Sequence, residues 1–445
     1  MIGKHLGSML AMALLVLPVA ATGQVRGGPP MGLPGGGFPG GGIGGPFGGG
    51  PPGGLPGHLP DLPVHGRPAW AGVEAVTGGL ERAEQAVSIK LSKLQKDRAA
   101  GLAQQSPALY ELDRNGALAI RGEVMATGLG TAALARVQQK GFAVLRRDTV
   151  PGADLDLVVV TRSGMDNDHA MKLLRKIAPE GTYAPNHVLF ESGMPARADS
   201  AERSGPAEPA GGEGPVAVGL IDTGVAPVID ADPRVHVVRR TFAQGASKPG
   251  AHGTAVAALL AREKGHLSLY AADIFGSDPR GGTSELLVRA LGWMSASHVP
   301  VVNVSMVGPA NPIVGVVVAR LIVSGLTIVA PVGNDGAAAR PLYPASYPGV
   351  VAVSAAGANG RLLPEASRVR RVDFVAPGIA MVPDPGGRLT EVRGTSFAAP
   401  IVSRLIADRV RSPNTLAAQK AIRALASAAQ HPKDTGAYGH GLIGF

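Results

Sequence analysis

Val216-Ala217-Val218-Gly219-Leu220-Ile221-Asp222-Thr223-Gly224 sets the fold class of this chain. Six residues without polar alternation predict a parallel strand covered on both faces, because a half-exposed strand would alternate. The run ends on a carboxylate and a Thr-Gly turn. Downstream the same logic repeats, with strands expected over Leu267 to Ile274, Pro300 to Met306 and Leu326 to Ala330. Helices are expected between them, over Ser284 to Ala296 and Val314 to Val323. Strands alternating with helices predict an α/β fold, a parallel sheet with helices on both faces. In such sheets ligands gather beyond the carboxyl ends of the strands, which is where Asp222 stands.

Three further residues carry chemistry in comparable places. His252, in His252-Gly253-Thr254, opens a helix of small residues running from Ala255 to Ala261. Asn334, in Val332-Gly333-Asn334, follows the expected strand Leu326 to Ala330 and has two amide donors in a glycine-flanked turn. Ser396, in Gly394-Thr395-Ser396-Phe397-Ala398-Ala399-Pro400, begins an apolar helix, next to unpaired N–H groups and the positive end of the helix dipole. Each has an ordinary structural reading: a turn or cap residue for Asp222 and Asn334, a cap or core contact for His252, an N-cap for Ser396.

Taken together, and in the order acid, histidine, asparagine, serine, these four motifs resemble those of the subtilase (peptidase S8) family of serine proteases. Tyr343-Pro344-Ala345-Ser346-Tyr347-Pro348-Gly349-Val350, Asp373-Phe374-Val375-Ala376-Pro377-Gly378 and Gly439-His440-Gly441-Leu442-Ile443 also match that pattern. The resemblance spans about residues 215–445, roughly half of the chain. It implies a serine endopeptidase acting on peptide or protein substrates through an Asp222-His252-Ser396 triad and an acyl-enzyme, with Asn334 as oxyanion donor. It further implies that Ser305, Met306, Val307 and Gly308 form the strand edge that pairs with substrate. The opposite pocket wall would be Ala330, Pro331, Val332 and Gly333, and both walls are apolar, which favours an uncharged or apolar side chain before the cleaved bond. Ala255 stands where many members carry a second histidine, and Pro331 where a small residue is common. A catalytically silent binding or regulatory protein on the same fold is the alternative, against which stands the retention of all four residue types. No cofactor is implied, and no clustered Asp/Asn run suggests a calcium site.

The remaining half reads differently. Residues 1–24 look like an export signal: Lys4 and His5, an apolar core from Ser8 to Ala21, and small residues at Val19-Ala20-Ala21. That core is too short for a comfortable membrane span, so a secreted or periplasmic protein without a stable span is expected. Residues 25–67 are Gly/Pro-rich and cannot bury enough apolar surface to order. Residues 68–121 form a helical segment, with apolar spacing from Val76 to Leu94. Residues 122–191 follow a β-α-β-β-α-β order, the split βαβ plan, with a last strand expected over His187 to Glu191. In size and order they are similar to the propeptide domain of subtilisin-like proteases. That similarity implies an intramolecular inhibitor or chaperone and a cleavage region in the linker 192–214. The full expectation is a parallel-sheet catalytic domain preceded by a smaller α+β domain.

Composition excludes some alternatives. Without cysteine there is neither a disulfide framework nor a thiol nucleophile. The net charge is +9, and residues 215–445 hold 22 Lys+Arg against 14 Asp+Glu. No basic run or aromatic interleaving accompanies it, so a solvated basic surface is expected and no nucleic-acid site.

Overall fold

The computed structural model describes residues 97–192, 194–195, 214–263, 265–337, 339–367, 371–432 and 437–445. The expected export signal, the Gly/Pro-rich segment, most of the helical segment and nearly all of the linker 192–214 lie outside the described residues.

Residues 97–105 end a first helix, α1. An N-terminal sheet follows, built from β1 (Tyr110–Leu112), β2 (Leu118–Thr127), β3 (Ala143–Val150), β4 (Leu155–Thr161) and β5 (Thr182–His187). Helix α2 (Thr131–Gln139) links β2 to β3, and α3 (Asn167–Ile177) links β4 to β5. All pairings are antiparallel, with β2 between β4 and β5 and β3 at the far edge. The observed last strand is Thr182–His187 and not His187 to Glu191. Pro185 and Asn186 disguise it in sequence, yet Pro185 is tolerated because β5 is an edge strand. Beyond it, β6 (Phe190–Glu191) leaves this sheet to pair elsewhere, and β7 (Met194–Pro195) does the same.

The second sheet contains β8 (Val216–Asp222), β9 (Val235–Thr241), β10 (Leu267–Asp273), β11 (Val301–Val304), β13 (Thr327–Pro331), β14 (Val351–Ala356) and β15 (Phe374–Pro377), with the short β12 (Met306–Val307) outside it. Its order is β15-β14-β13-β11-β8-β10-β9, and every pairing is parallel. The chain runs from β8 out to β9, returns to β10 and then crosses to β11 on the other side of β8. The order therefore reverses beside β8, and the carboxyl ends of β8 and β11 diverge around a crevice.

Period-two alternation divides the strand residues between two helical layers. Ile221, Val302, Val304 and Ile328 face α5 (Ser284–Ala296) and α6 (Pro312–Val323) through Val288, Leu291, Val317 and Leu321. Val218, Leu220, Val329 and Val353 face α4 (Ala251–Ala261), α7 (Thr395–Ala407) and α8 (Thr415–Ala428). Gly219 is required by this packing, since a Cβ there would lie 2.6 Å from the sulfur of Met294. A small antiparallel sheet, β16 (Ile379–Pro383) and β17 (Leu389–Arg393), takes β7 as its third strand.

The N-terminal sheet lies on α5 and α6, with Met125, Leu157, Val159 and Ala184 buried in the same core as those helices. Polar contacts fix the fit. Asn311 caps α6 with its Oδ1 and donates from Nδ2 to the Pro185 carbonyl at 3.0 Å. Arg146 donates to both oxygens of Glu285, at 2.6 and 2.7 Å, and to Glu123 at 2.6 Å. Glu285 opens α5 and is almost fully buried, so only a paired guanidinium makes its charge tolerable there. Among the described residues, no helix is long and apolar enough to cross a membrane.

Candidate active site

Asp222 is the last residue of β8, buried at the carboxyl edge of the parallel sheet. Its Oδ1 accepts from the Thr223 N–H at 2.7 Å, and its two oxygens lie 2.9 and 3.0 Å from Nδ1 of His252. His252 is the second residue of α4, a helix buried nearly all round, so its imidazole is held by the body of the protein and not by a loop. The first turn of α4 is pinned to the β8 end: Gly253 donates from its N–H to Thr223 Oγ1 at 2.8 Å. The approach is so close that a Cβ on Gly253 would lie 2.3 Å from the Thr223 carbonyl oxygen. Burial pushes the His252 pKa down, but the charge and hydrogen bond of Asp222, helped by Glu191, outweigh it and raise the imidazole above its ordinary value.

Ser396 is the second residue of α7, after Gly394, whose φ of 140° lies in the region that glycine adopts without strain. Its Oγ is 3.0 Å from His252 Nε2. Four residues on, Pro400 has no N–H to give the Ser396 carbonyl, which would leave a buried acceptor orphaned. Ser305 fills the gap, donating from Oγ to that carbonyl at 3.1 Å. Ser305 is itself held by Asn303 Nδ2 at 2.6 Å, and Asn303 Oδ1 accepts from Ser403 at 3.0 Å. The nucleophile is thus braced from the carboxyl end of β11 as well as by its own helix.

Next to Ser396 two donors converge on one oxygen. Asn334 Nδ2 lies 2.7 Å, and the Ser396 N–H nitrogen 3.2 Å, from the carbonyl oxygen of Ser192. Asn334 is oriented for this by its Oδ1, which accepts from the Thr395 N–H at 2.9 Å. The Ser192 segment runs through the crevice as an added strand. Glu191 pairs with Met306 and Phe190 with Val307, both antiparallel, and the Leu189 N–H donates to Gly282 at 2.8 Å. Beneath this segment Ser396 is 0% exposed.

Residues 213–441 match the model of the subtilase family of peptidases. The chain belongs to the subtilase family. It is 31% identical over 245 residues to subtilisin DY of Bacillus licheniformis, covering 51% of this chain and 88% of that protein. It is 29% identical over 206 residues to subtilisin E of Bacillus subtilis (strain 168), where the match covers 43% of this chain and 54% of that protein. Among solved structures, fervidolysin of Fervidobacterium pennivorans, described as a keratinolytic enzyme related to subtilisin, superposes with a TM-score of 0.60 at 18% identity. That likeness is one of fold, and it covers 76% of this chain and 62% of the other.

In this subtilase, Asp222, His252 and Ser396 form one hydrogen-bonded line, the Asp-His-Ser arrangement of a serine-protease mechanism, and Asn334 stands beside it. Ser305, Met306, Val307 and Gly308 lie along the Ser192 segment. The Ser192 nitrogen is 3.5 Å from the Ser305 carbonyl oxygen, and a Cβ on Gly308 would lie 2.4 Å from Cδ2 of Leu189. Ala330, Pro331 and Val332 are buried at and just beyond the end of β13, and the Gly333 N–H donates to Thr395 Oγ1 at 3.2 Å. The brace Asn303-Ser305-Ser403 is absent from the sequence reading, as is the role of Thr395. The proline at position 400 was the available signal, because a proline inside a helix announces a carbonyl in need of another donor.

Proposed function

We propose that this chain is the precursor of an exported serine endopeptidase, with its N-terminal sheet acting as an intramolecular inhibitor or folding chaperone. In this reading Asp222 holds His252 in the tautomer with Nδ1–H and stabilises the imidazolium that forms. His252 Nε2 takes the proton of Ser396 Oγ as that oxygen attacks the substrate carbonyl, then gives it to the leaving amine. Asn334 Nδ2 and the Ser396 N–H receive the negative charge of the tetrahedral intermediate, and water then releases the acyl group by the same steps. Ser305 to Gly308 supply the edge to which an extended peptide adds as a strand, and Ala330 to Gly333 the facing wall.

One observation carries the catalytic assignment: the Ser396 Oγ–His252 Nε2–Asp222 line, at 3.0 and 2.9 Å, runs beside two donors converging on a single carbonyl oxygen. The inhibitor role rests on the docking of β1–β5 onto α5 and α6 and on the strand added across the crevice. Export rests on the composition of residues 1–24. Hydrolysis of a denatured protein substrate by the wild-type chain, abolished in Ser396→Ala, tests the endopeptidase reading. Retention of hydrolysis in that variant would refute it.

A further inference from the structure

We infer that the peptide bond joining Ser192 to Gly193 is the chain's own substrate, cut in cis by Ser396. This rests on the endopeptidase reading above and adds to it a modification site and a substrate class. The linker composition marks no bond within residues 192–214, whereas the structure singles out one carbonyl. Ser192 O is the oxygen that receives both Asn334 Nδ2, at 2.7 Å, and the Ser396 N–H, at 3.2 Å. The chain is held on both sides of it. Upstream are the Glu191–Met306 and Phe190–Val307 pairs and the Leu189–Gly282 hydrogen bond; downstream Met194 pairs with Arg393 and Pro195 with Val392. Clamping an extended segment by its backbone at both ends turns attack on its carbonyl into a positioned intramolecular reaction, the arrangement in which proximity contributes most.

The chemistry balances with one water. Ser396 Oγ bonds to the Ser192 carbonyl carbon while its proton passes to His252 Nε2. The bond from that carbon to the Gly193 nitrogen breaks, and the nitrogen takes the proton from His252. Water then adds its oxygen to the acyl carbon, one proton returns through His252 to Ser396 Oγ, and the products are a Ser192 carboxyl group and a Gly193 amine.

Two side-chain environments define the class of peptide that would also be cut in trans. Ser192 is almost fully buried, its Oγ 3.3 Å from Asn334 Nδ2 and 3.4 Å from Thr395 Oγ1, a snug polar setting for a small side chain. Leu189, three residues upstream, is buried with its Cδ2 in the space that a Cβ on Gly308 would fill. The preferred substrate therefore has a small residue before the cleaved bond and a leucine three residues before that.

The test uses the full-length chain, purified as wild type, Ser396→Ala, Gly308→Val and Gly308→Val with Leu189→Ala. Intact mass and N-terminal sequencing of the wild type should give fragments ending at Ser192 and beginning at Gly193, at a rate unchanged by a hundredfold dilution, while Ser396→Ala stays whole. Gly308→Val should slow this cut by about tenfold or more, the usual worth of a misfitted methyl group or two, and Leu189→Ala should restore it. A wild-type chain that hydrolyses denatured casein but is cut at another bond, or only by a concentration-dependent reaction, overturns the inference and leaves the endopeptidase standing. A chain that neither cuts itself nor hydrolyses casein overturns both.

Discussion

Replacing Asn334 by alanine probes the oxyanion geometry alone, because that side chain neither attacks nor carries a proton. Its Nδ2 is 2.7 Å from the Ser192 carbonyl oxygen, the position in which negative charge develops when Ser396 attacks. A lost oxyanion donor costs about 3–4 kcal/mol in the transition state, so kcat should fall about 10²–10³-fold. Part of the bond already exists to the neutral carbonyl, where a hydrogen bond contributes about 1 kcal/mol, so KM should rise by no more than about fivefold. Alanine also removes the acceptor for the Thr395 N–H, 2.9 Å from Oδ1, and that could disturb the start of α7. Asn334→Asp separates the two effects: it keeps the acceptor and replaces the donor with a charge that repels the oxyanion. It should be at least as inactive as Asn334→Ala. The assay is steady-state hydrolysis of a chromogenic peptide, normalised by active-site titration of Ser396. A fall in kcat of less than about tenfold in both variants, or a loss carried wholly by KM, would refute the assignment of this oxygen position.

Other perturbations follow from the same contacts. His252 must be neutral to take the proton of Ser396, and its pKa is raised chiefly by Asp222 against the opposing effect of burial. kcat/KM should therefore be full at alkaline pH and fall about tenfold per unit as pH drops through a midpoint above the usual ~6.5. Asp222→Asn should lower that midpoint and reduce kcat by about 10⁴-fold; a wild-type midpoint well below 6.5 would contradict the pairing. Arg146→Met leaves Glu285 buried without its guanidinium and should destabilise the uncut Ser396→Ala chain by about 3 kcal/mol or more, measured by urea unfolding. A loss under about 1 kcal/mol would show that this ion pair does not secure the N-terminal sheet. Gly253→Ala forces a methyl group against the Thr223 carbonyl oxygen, so the expected product is a folded chain with displaced His252 and at most about 1% of wild-type kcat, or no folded chain at all. Near-normal activity would mean that the contact between α4 and the end of β8 is looser than described.

Much of the catalytic sheet was legible because its elements are local in origin. Val216 to Asp222 is apolar without alternation, and α5 begins and ends where the spacing of Ser284 to Ala296 places it. The four chemical residues were legible because each sits at a strand end or helix start, where the motif and the element are the same few residues. Other parts have no local signature. β9 carries His236, Arg239 and Arg240 because it is an edge strand, and β14, Val351–Ala356, is too short and apolar to be told from a helix turn. β5 was displaced in the sequence reading because Pro185 and Asn186 look like loop, although Asn186 is buried and donates to Glu123 and Glu285 from the N-terminal sheet. Least legible was Ser192. Its place beside Asn334 depends on the register of β6 against β12, a contact across 115 residues that no local pattern encodes.

The most direct measurement is covalent: incubation of the purified wild-type chain with a fluorophosphonate, followed by peptide mass mapping. The account predicts a stoichiometric adduct on Ser396 once the Ser192 segment has left the crevice, abolished in Ser396→Ala and strongly slowed in His252→Ala. No adduct on Ser396 in a folded chain with the segment released, or an adduct formed equally fast without His252, would contradict the claim that Asp222, His252 and Ser396 work as one catalytic unit.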